Sequence, residues 1–141
     1  MLTKFDIKTL ALAKRLAIAT PNPVRNYRLA AIVTIKNEII SFGNNQLKTH
    51  PFCAKFKEKD FNVFFHAETN AIFNALKIVN EQDLKKANLY VYRVKKEYSR
   101  CSPWTHGLSL PCTSCMNAIN NYKIPKVIYT TDEGIEVLNL K

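Results

Sequence analysis

His66-Ala67-Glu68-Thr69-Asn70-Ala71-Ile72, taken with Pro111-Cys112-Thr113-Ser114-Cys115, decides the reading of this chain. Each half alone says little. A His two residues before a Glu is common, and a Cys-x-x-Cys pair serves redox chemistry or structural zinc equally well. The ordered combination is far more specific. One imidazole and two thiolates are donors that zinc takes in a tetrahedron, and three protein ligands leave the fourth position to water, as catalytic sites do. Zinc lowers the pKa of such a water from about 15.7 to near 7. Glu68 is a carboxyl two residues from a ligand and is not needed by the metal, so it stands where a general acid–base belongs.

The surrounding pattern fits that site. Residues 67–79 carry Ile72, Phe73, Leu76 and Val79 at helical spacing, with His66 and Glu68 at the start. Cys112 and Cys115 are three apart and fall on one helix face, with Met116 and Ile119 continuing an apolar stripe beside them. Pro111 suits a helix start, where its missing N–H is no loss. Two helix N-termini are therefore expected to meet at one zinc, their positive dipole ends favouring thiolate and carboxylate.

Outward from the motif, helix and strand signals alternate. Thr3 and Asp6 form a capping-box-like start to a helix that runs to about Ala19 and is ended by Pro21 and Pro23. Leu29–Ile35 is a continuous apolar run, which predicts a central strand. A turn at Lys36-Asn37-Glu38 leads into a second strand, Ile39–Phe42. Strands are also expected at Asn88–Val94, Lys126–Thr131 and Ile135–Leu138, and the Cys helix at about 112–122. Residues 43–65 read as a long irregular segment with a short helix at 54–59, and residues 95–110 as a second long loop. Loops of that length in a compact domain are usually functional, and each precedes a metal-binding segment.

The length of 141 residues suits one domain spanning 1–141, and 47% hydrophobic content can fill a core. No apolar run is long enough to span a bilayer, so no membrane partner is expected. Lys4, Asp6, Lys8, Lys14 and Arg15 interrupt any signal-peptide pattern. Four Cys, two of them in a metal motif, indicate a reducing compartment and a cytoplasmic location. The net charge of +10 attracts phosphates, whether of nucleotides or of nucleic acid. The abundance of Lys, Asn and Ile is equally what an AT-rich coding sequence produces, so charge alone does not separate the two readings.

His-x-Glu followed by Pro-Cys-x-x-Cys is the signature of zinc-dependent nucleobase deaminases, and the chain resembles the cytidine deaminase-like superfamily over nearly its whole length. His66-Ala67-Glu68-Thr69-Asn70-Ala71-Ile72 looks most like the corresponding stretch of deoxycytidylate deaminases, and Gly43-Asn44-Asn45 resembles their Gly-x-Asn after the second strand. The resemblance implies an α/β fold, a three-layer α/β/α sandwich around a mixed five-stranded sheet. It implies zinc held by His66, Cys112 and Cys115, with Glu68 as proton shuttle. It further implies Asn45 hydrogen-bonded to the substrate, the Ala67 backbone N–H on the pyrimidine carbonyl, and a homo-oligomer.

The implied activity is hydrolytic deamination of a cytosine base in a free nucleotide, dCMP to dUMP plus ammonia. The alternative is a polynucleotide deaminase acting on tRNA adenosine or on cytosine in single-stranded DNA, because the signature is shared. Arg28 and Lys48 are candidate phosphate ligands. Two departures stand out. Residues 95–110 are inserted where deoxycytidylate deaminases run directly from strand to Pro-Cys-x-x-Cys, and the Gly-rich continuation of nucleotide-regulated members is missing after Asn45. His50, Cys53, Cys101 and His106 are the remaining His and Cys, and some deoxycytidylate deaminases carry a second zinc. These four residues could form such a structural site or be ordinary loop residues.

Overall fold

The apolar run at 29–35 is a central strand in the computed structural model of the protein, which describes residues 2–20, 28–46, 50–56, 65–95 and 104–140. In β1 (Arg28–Ile35), Ala31 and Val33 enter one core while Ala30 and Ile32 enter another on the opposite face. A strand buried on both faces has no polar side to show, hence the unbroken apolar pattern. Lys36 and Asn37, both at positive φ (52° and 60°), turn the chain tightly into β2 (Glu38–Asn44), the antiparallel edge strand. Positive φ at both central turn residues matches the twist of a hairpin, and Asn tolerates it well.

β3 (Ala87–Lys95) pairs antiparallel with the other side of β1. β5 (Lys126–Thr130) runs parallel to β3, and β6 (Ile135–Asn139) closes the far edge. The sheet is therefore mixed, in the order β2-β1-β3-β5-β6. Among the described residues it has six strands, one more than the expected five. Thr105–Gly107, read from sequence as loop, is β4, and it pairs with residues 93–95 of β3. β1 occupies one edge of β3 throughout, so β4 continues the edge that β5 leaves at Val91. A three-residue strand carries too little periodicity to be read from sequence.

Helices cover both faces, which makes the three layers. α1 (Lys4–Ile18) starts at a full capping box: Thr3 N donates to Asp6 Oδ2 at 2.8 Å and Asp6 N to Thr3 Oγ1 at 3.1 Å. It buries Leu10, Ala13 and Ala17 against Ile32, Tyr90 and Val94. On the other face, α3 (Ala67–Ala75) and α4 (Thr113–Asn121) bury Ala71, Ile72, Ala118 and Ile119 with Ala31, Val33, Leu89 and Val127.

The long segment carries a short helix, α2, at Pro51–Ala54; of the expected 54–59, residues 55 and 56 form a turn and 57–59 lie outside the described residues. α2 begins at Pro51, whose fixed φ favours a first helical turn. α3 also ends at Ala75, short of the expected Val79. Asn80 and Asp83 exchange side-chain-to-backbone bonds at 3.1 and 3.2 Å, starting a separate 3-10 turn at Asp83–Lys86. Among the described residues, no helix is long and apolar enough to cross a membrane.

Candidate metal centre

His66 and Cys112 occupy the same place in two different helices, the N-cap of α3 and the N-cap of α4. Neither side chain caps its own helix, so both are available to point at each other. His66 Nδ1 lies 3.2 Å from Cys115 Sγ and 3.5 Å from Cys112 Sγ, and the three donor atoms fall within 4.8 Å of one another. With zinc bonds of about 2.0–2.1 Å to nitrogen and 2.3 Å to sulfur, a tetrahedron separates N from S by about 3.5 Å. The donor set and its spacing fit zinc. Cys115 is fully buried and Cys112 exposed, so the cluster is anchored in the core and open on one side.

The electrostatics follow from crowding. Cys112 accepts from the Cys115 thiol and from the His66 imidazole, and these hold its own thiol down at about 4, well into the thiolate range. Cys115, the donor in that pair and buried besides, is pushed up. His66 is raised first by its bond to Cys112. Glu68, only 4% exposed in the first turn of α3, is pushed up by burial, with the His66 charge acting against it. Its carboxyl is also within bonding range of Cys115, beside the metal donors rather than among them.

α3 is held on the sheet by contacts that sequence reasoning missed. Ser41 Oγ donates to Ala71 O at 2.7 Å, and Asn74 Nδ2 donates to Phe42 O at 2.9 Å and to Asn70 Oδ1 at 3.0 Å. Gly43 lies under the same helix. The one available signal was Gly43 itself, because an isolated Gly in a strand marks close backbone approach. The approach to α4 is also pinned. Ser109 Oγ donates to Val91 O at 2.9 Å and accepts from Thr130 N at 2.8 Å, while Thr130 Oγ1 donates to Gly107 O at 2.7 Å. This buried hydroxyl pair sits at the seam between β4 and β5 and delivers the chain to Pro111 and Cys112.

The other expected site residues are placed as follows. Ala67 is fully buried at the first position of α3, where backbone N–H groups have no partner within the helix. Asn45 follows β2 and is buried, and its Oδ1 accepts from Leu29 N at 2.8 Å, which fixes the orientation of its amide. Arg28 is not placed as a phosphate ligand. Its guanidinium donates to Ile18 O at 2.7 Å and Thr20 O at 3.2 Å, closing the carbonyl end of α1, and lies 5.2 Å above the Trp104 ring. Lys48, Cys101 and the Cys53 side chain lie outside the described residues. His50 stacks on Phe65 on the α3 side, at 4.6 Å between centroids. His106 stacks on Tyr92, which faces α1. The rings on which these two imidazoles stack belong to the clusters on opposite faces of the sheet.

Comparison with known proteins agrees with this geometry. The family described as the cytidine and deoxycytidylate deaminase zinc-binding region matches residues 3–131. No curated protein matches the chain by sequence. A cytidine deaminase from Burkholderia pseudomallei is structurally similar at 18% identity and TM-score 0.65, covering 98% of this chain and 93% of that one. The dCMP deaminase of cyanophage S-TIM5, solved with dCMP and dUMP, is similar at 22% identity and TM-score 0.60, covering 93% of this chain and 84% of its own. A cytidine deaminase from Mycobacterium leprae is similar at 16% identity and TM-score 0.52, covering 94% and 92%. At such identities these likenesses establish the fold.

Proposed function

The chain belongs to the cytidine and deoxycytidylate deaminase family, and on that footing we propose that it hydrolyses the 4-amino group of a cytosine base in a free nucleotide, dCMP, to give dUMP and ammonia. The observation that carries the reading is Glu68: a buried carboxyl, pushed toward its protonated form, beside a three-donor metal cluster. A purely structural metal site has no use for such a group.

His66, Cys112 and Cys115 hold the zinc, which when bound activates water and acts as a Lewis acid. Glu68 moves the protons. Its carboxylate takes one from the attacking water and delivers it to ring N3, then carries the second to the departing amine, so that water and amine balance as uracil and ammonia. The Ala67 N–H, a donor at a helix start with no partner within its own helix, holds the pyrimidine O2. Asn45, its amide oriented by the bond that Oδ1 accepts from Leu29 N, hydrogen-bonds the substrate. The choice of a monophosphate is supported by His66–Ile72, which resembles the deoxycytidylate group, and by the cyanophage relative solved with dCMP and dUMP.

A substrate panel tests this: dCMP, dCTP, deoxycytidine, cytidine, single-stranded DNA and tRNA, each read by ammonia release. dCMP should turn over with the highest kcat/KM. Turnover of tRNA or single-stranded DNA with none of any mononucleotide would replace the proposal by a polynucleotide deaminase.

A further inference from the structure

We propose that the outer face of α1 docks the phosphate backbone of a nucleic acid, away from the catalytic pocket. α1 carries Lys4, Lys8, Lys14 and Arg15, all exposed, against a single acid, Asp6. Asp6 is buried and occupied by Thr3 and by the Tyr90 hydroxyl, so it neutralises none of them. Among the described residues, none of the four cations is ion-paired. With about 100° per residue, Lys4, Lys8 and Arg15 fall within about 40° of one another and form a row about 17 Å long.

This arrangement works against the helix that bears it. Lys4 and Lys8 are a like-charge i,i+4 pair, destabilising by a few tenths of a kcal/mol. Lys4 lies in the first turn, where the helix dipole disfavours a cation, whereas Arg15 lies in the last turn, where the dipole favours one. A helix that needed only solubility would intersperse acids. A row of unpaired cations is instead complementary to a row of phosphates, whose condensed counterions are released on contact.

Other partners fit less well. An interfacial membrane helix must present a broad apolar face, but Leu10, Ala13 and Ala17 are buried against the sheet and only Ile7 is a strongly exposed large apolar residue of α1. Protein interface cores are depleted in Lys and enriched in aromatics, and this stripe has the opposite composition. α1 also covers the sheet face opposite α3 and α4, so a strand held there is docked rather than presented for reaction. The proposal is independent of the substrate assigned above.

The test uses the zinc-loaded full chain and a fluorescein-labelled 20-base-pair DNA, read by anisotropy across salt concentrations. The variant Lys4→Glu/Lys8→Glu/Arg15→Glu is compared with Lys85→Glu/Lys86→Glu/Lys123→Glu, an equal charge change at exposed positions on the other side of the sheet. The α1 variant should bind at least about 30-fold more weakly and lose about 2.7 from the slope of log K against log salt. The control should lose less than about one-fifth of that slope. Both should keep their melting temperatures and nucleotide turnover. Equal losses in the two variants, no micromolar binding by the parent, or α1-dependent binding to phosphatidylserine vesicles or polyglutamate but not to DNA would each overturn the proposal.

Discussion

Gly43 and Ala71 approach so closely that a Cβ on Gly43 would lie 2.5 Å from the Ala71 backbone nitrogen, 2.5 Å from Asn70 Oδ1 and 2.8 Å from Ala67 O. Two of these three neighbours are backbone of α3 and cannot swing aside. Gly43 therefore sets how deeply α3, with His66 at its N-cap and Glu68 in its first turn, sits on the sheet. Gly43→Ala should lower stability by about 1–3 kcal/mol, the usual cost of overpacking. It should also reduce zinc retention, because His66 moves with the helix. Denaturant melts and chelator competition check both effects; wild-type values for the two would remove this role.

The division of labour at the centre predicts opposite behaviour for neighbouring residues. Glu68→Gln should keep zinc and fold while kcat falls by about a thousand-fold, within the range of general acid–base loss. Cys115→Ala should lose zinc and stability together, because metal binding is coupled to folding. Metal content by elemental analysis, measured beside turnover, separates the two. A Glu68→Gln protein devoid of zinc would make Glu68 a ligand instead.

Asp6 links the start of α1 to the Tyr90 hydroxyl. Burial alone would raise its carboxyl, yet the bonds from Tyr90 and Thr3 outweigh that and leave it below the ordinary carboxylate value. A depressed folded-state value contributes stability above the unfolded pKa of about 3.9 and loses it as pH falls through the folded one. Asp6→Asn should therefore cost about 1.5–3 kcal/mol at pH 7, the scale of a hydrogen bond to a charged group. Below the carboxylate range the melts of the two proteins should draw together. A stability difference independent of pH would contradict this account.

Ser109→Ala removes the hydroxyl that serves both Val91 O and Thr130 N in the seam before Pro111. Leaving those buried groups unpaired should cost about 1–3 kcal/mol. Cys112, three residues on, should then hold its place less firmly. In the cobalt-substituted protein the visible thiolate-to-metal spectrum should broaden or shift for Ser109→Ala and return for Ser109→Thr. An unchanged spectrum with lowered stability would confine the pair to a structural role.

What the chain shows locally, it shows clearly. The reciprocal bond of Thr3 and Asp6, the one-face spacing of Cys112 and Cys115, Pro111 before the helix and the two-sided burial of β1 all depend on residues within a few positions of one another. Short-range periodicity and capping chemistry are enough to place them, and the donor types of His66, Cys112 and Cys115 suffice to choose zinc. The rest was decided by contacts between distant segments, which leave no periodic trace. Arg28 could equally have faced a phosphate until the carbonyl end of α1 and the Trp104 ring came to lie beside it. Asn45 has its carbonyl drawn to Leu29, across the hairpin, and the loop at 95–110 becomes strand at Thr105–Gly107 because the edge of β3 beyond Val91 is open to be paired. A backbone N–H or C=O removed from water must find a partner, and only the tertiary structure decides which segment supplies it.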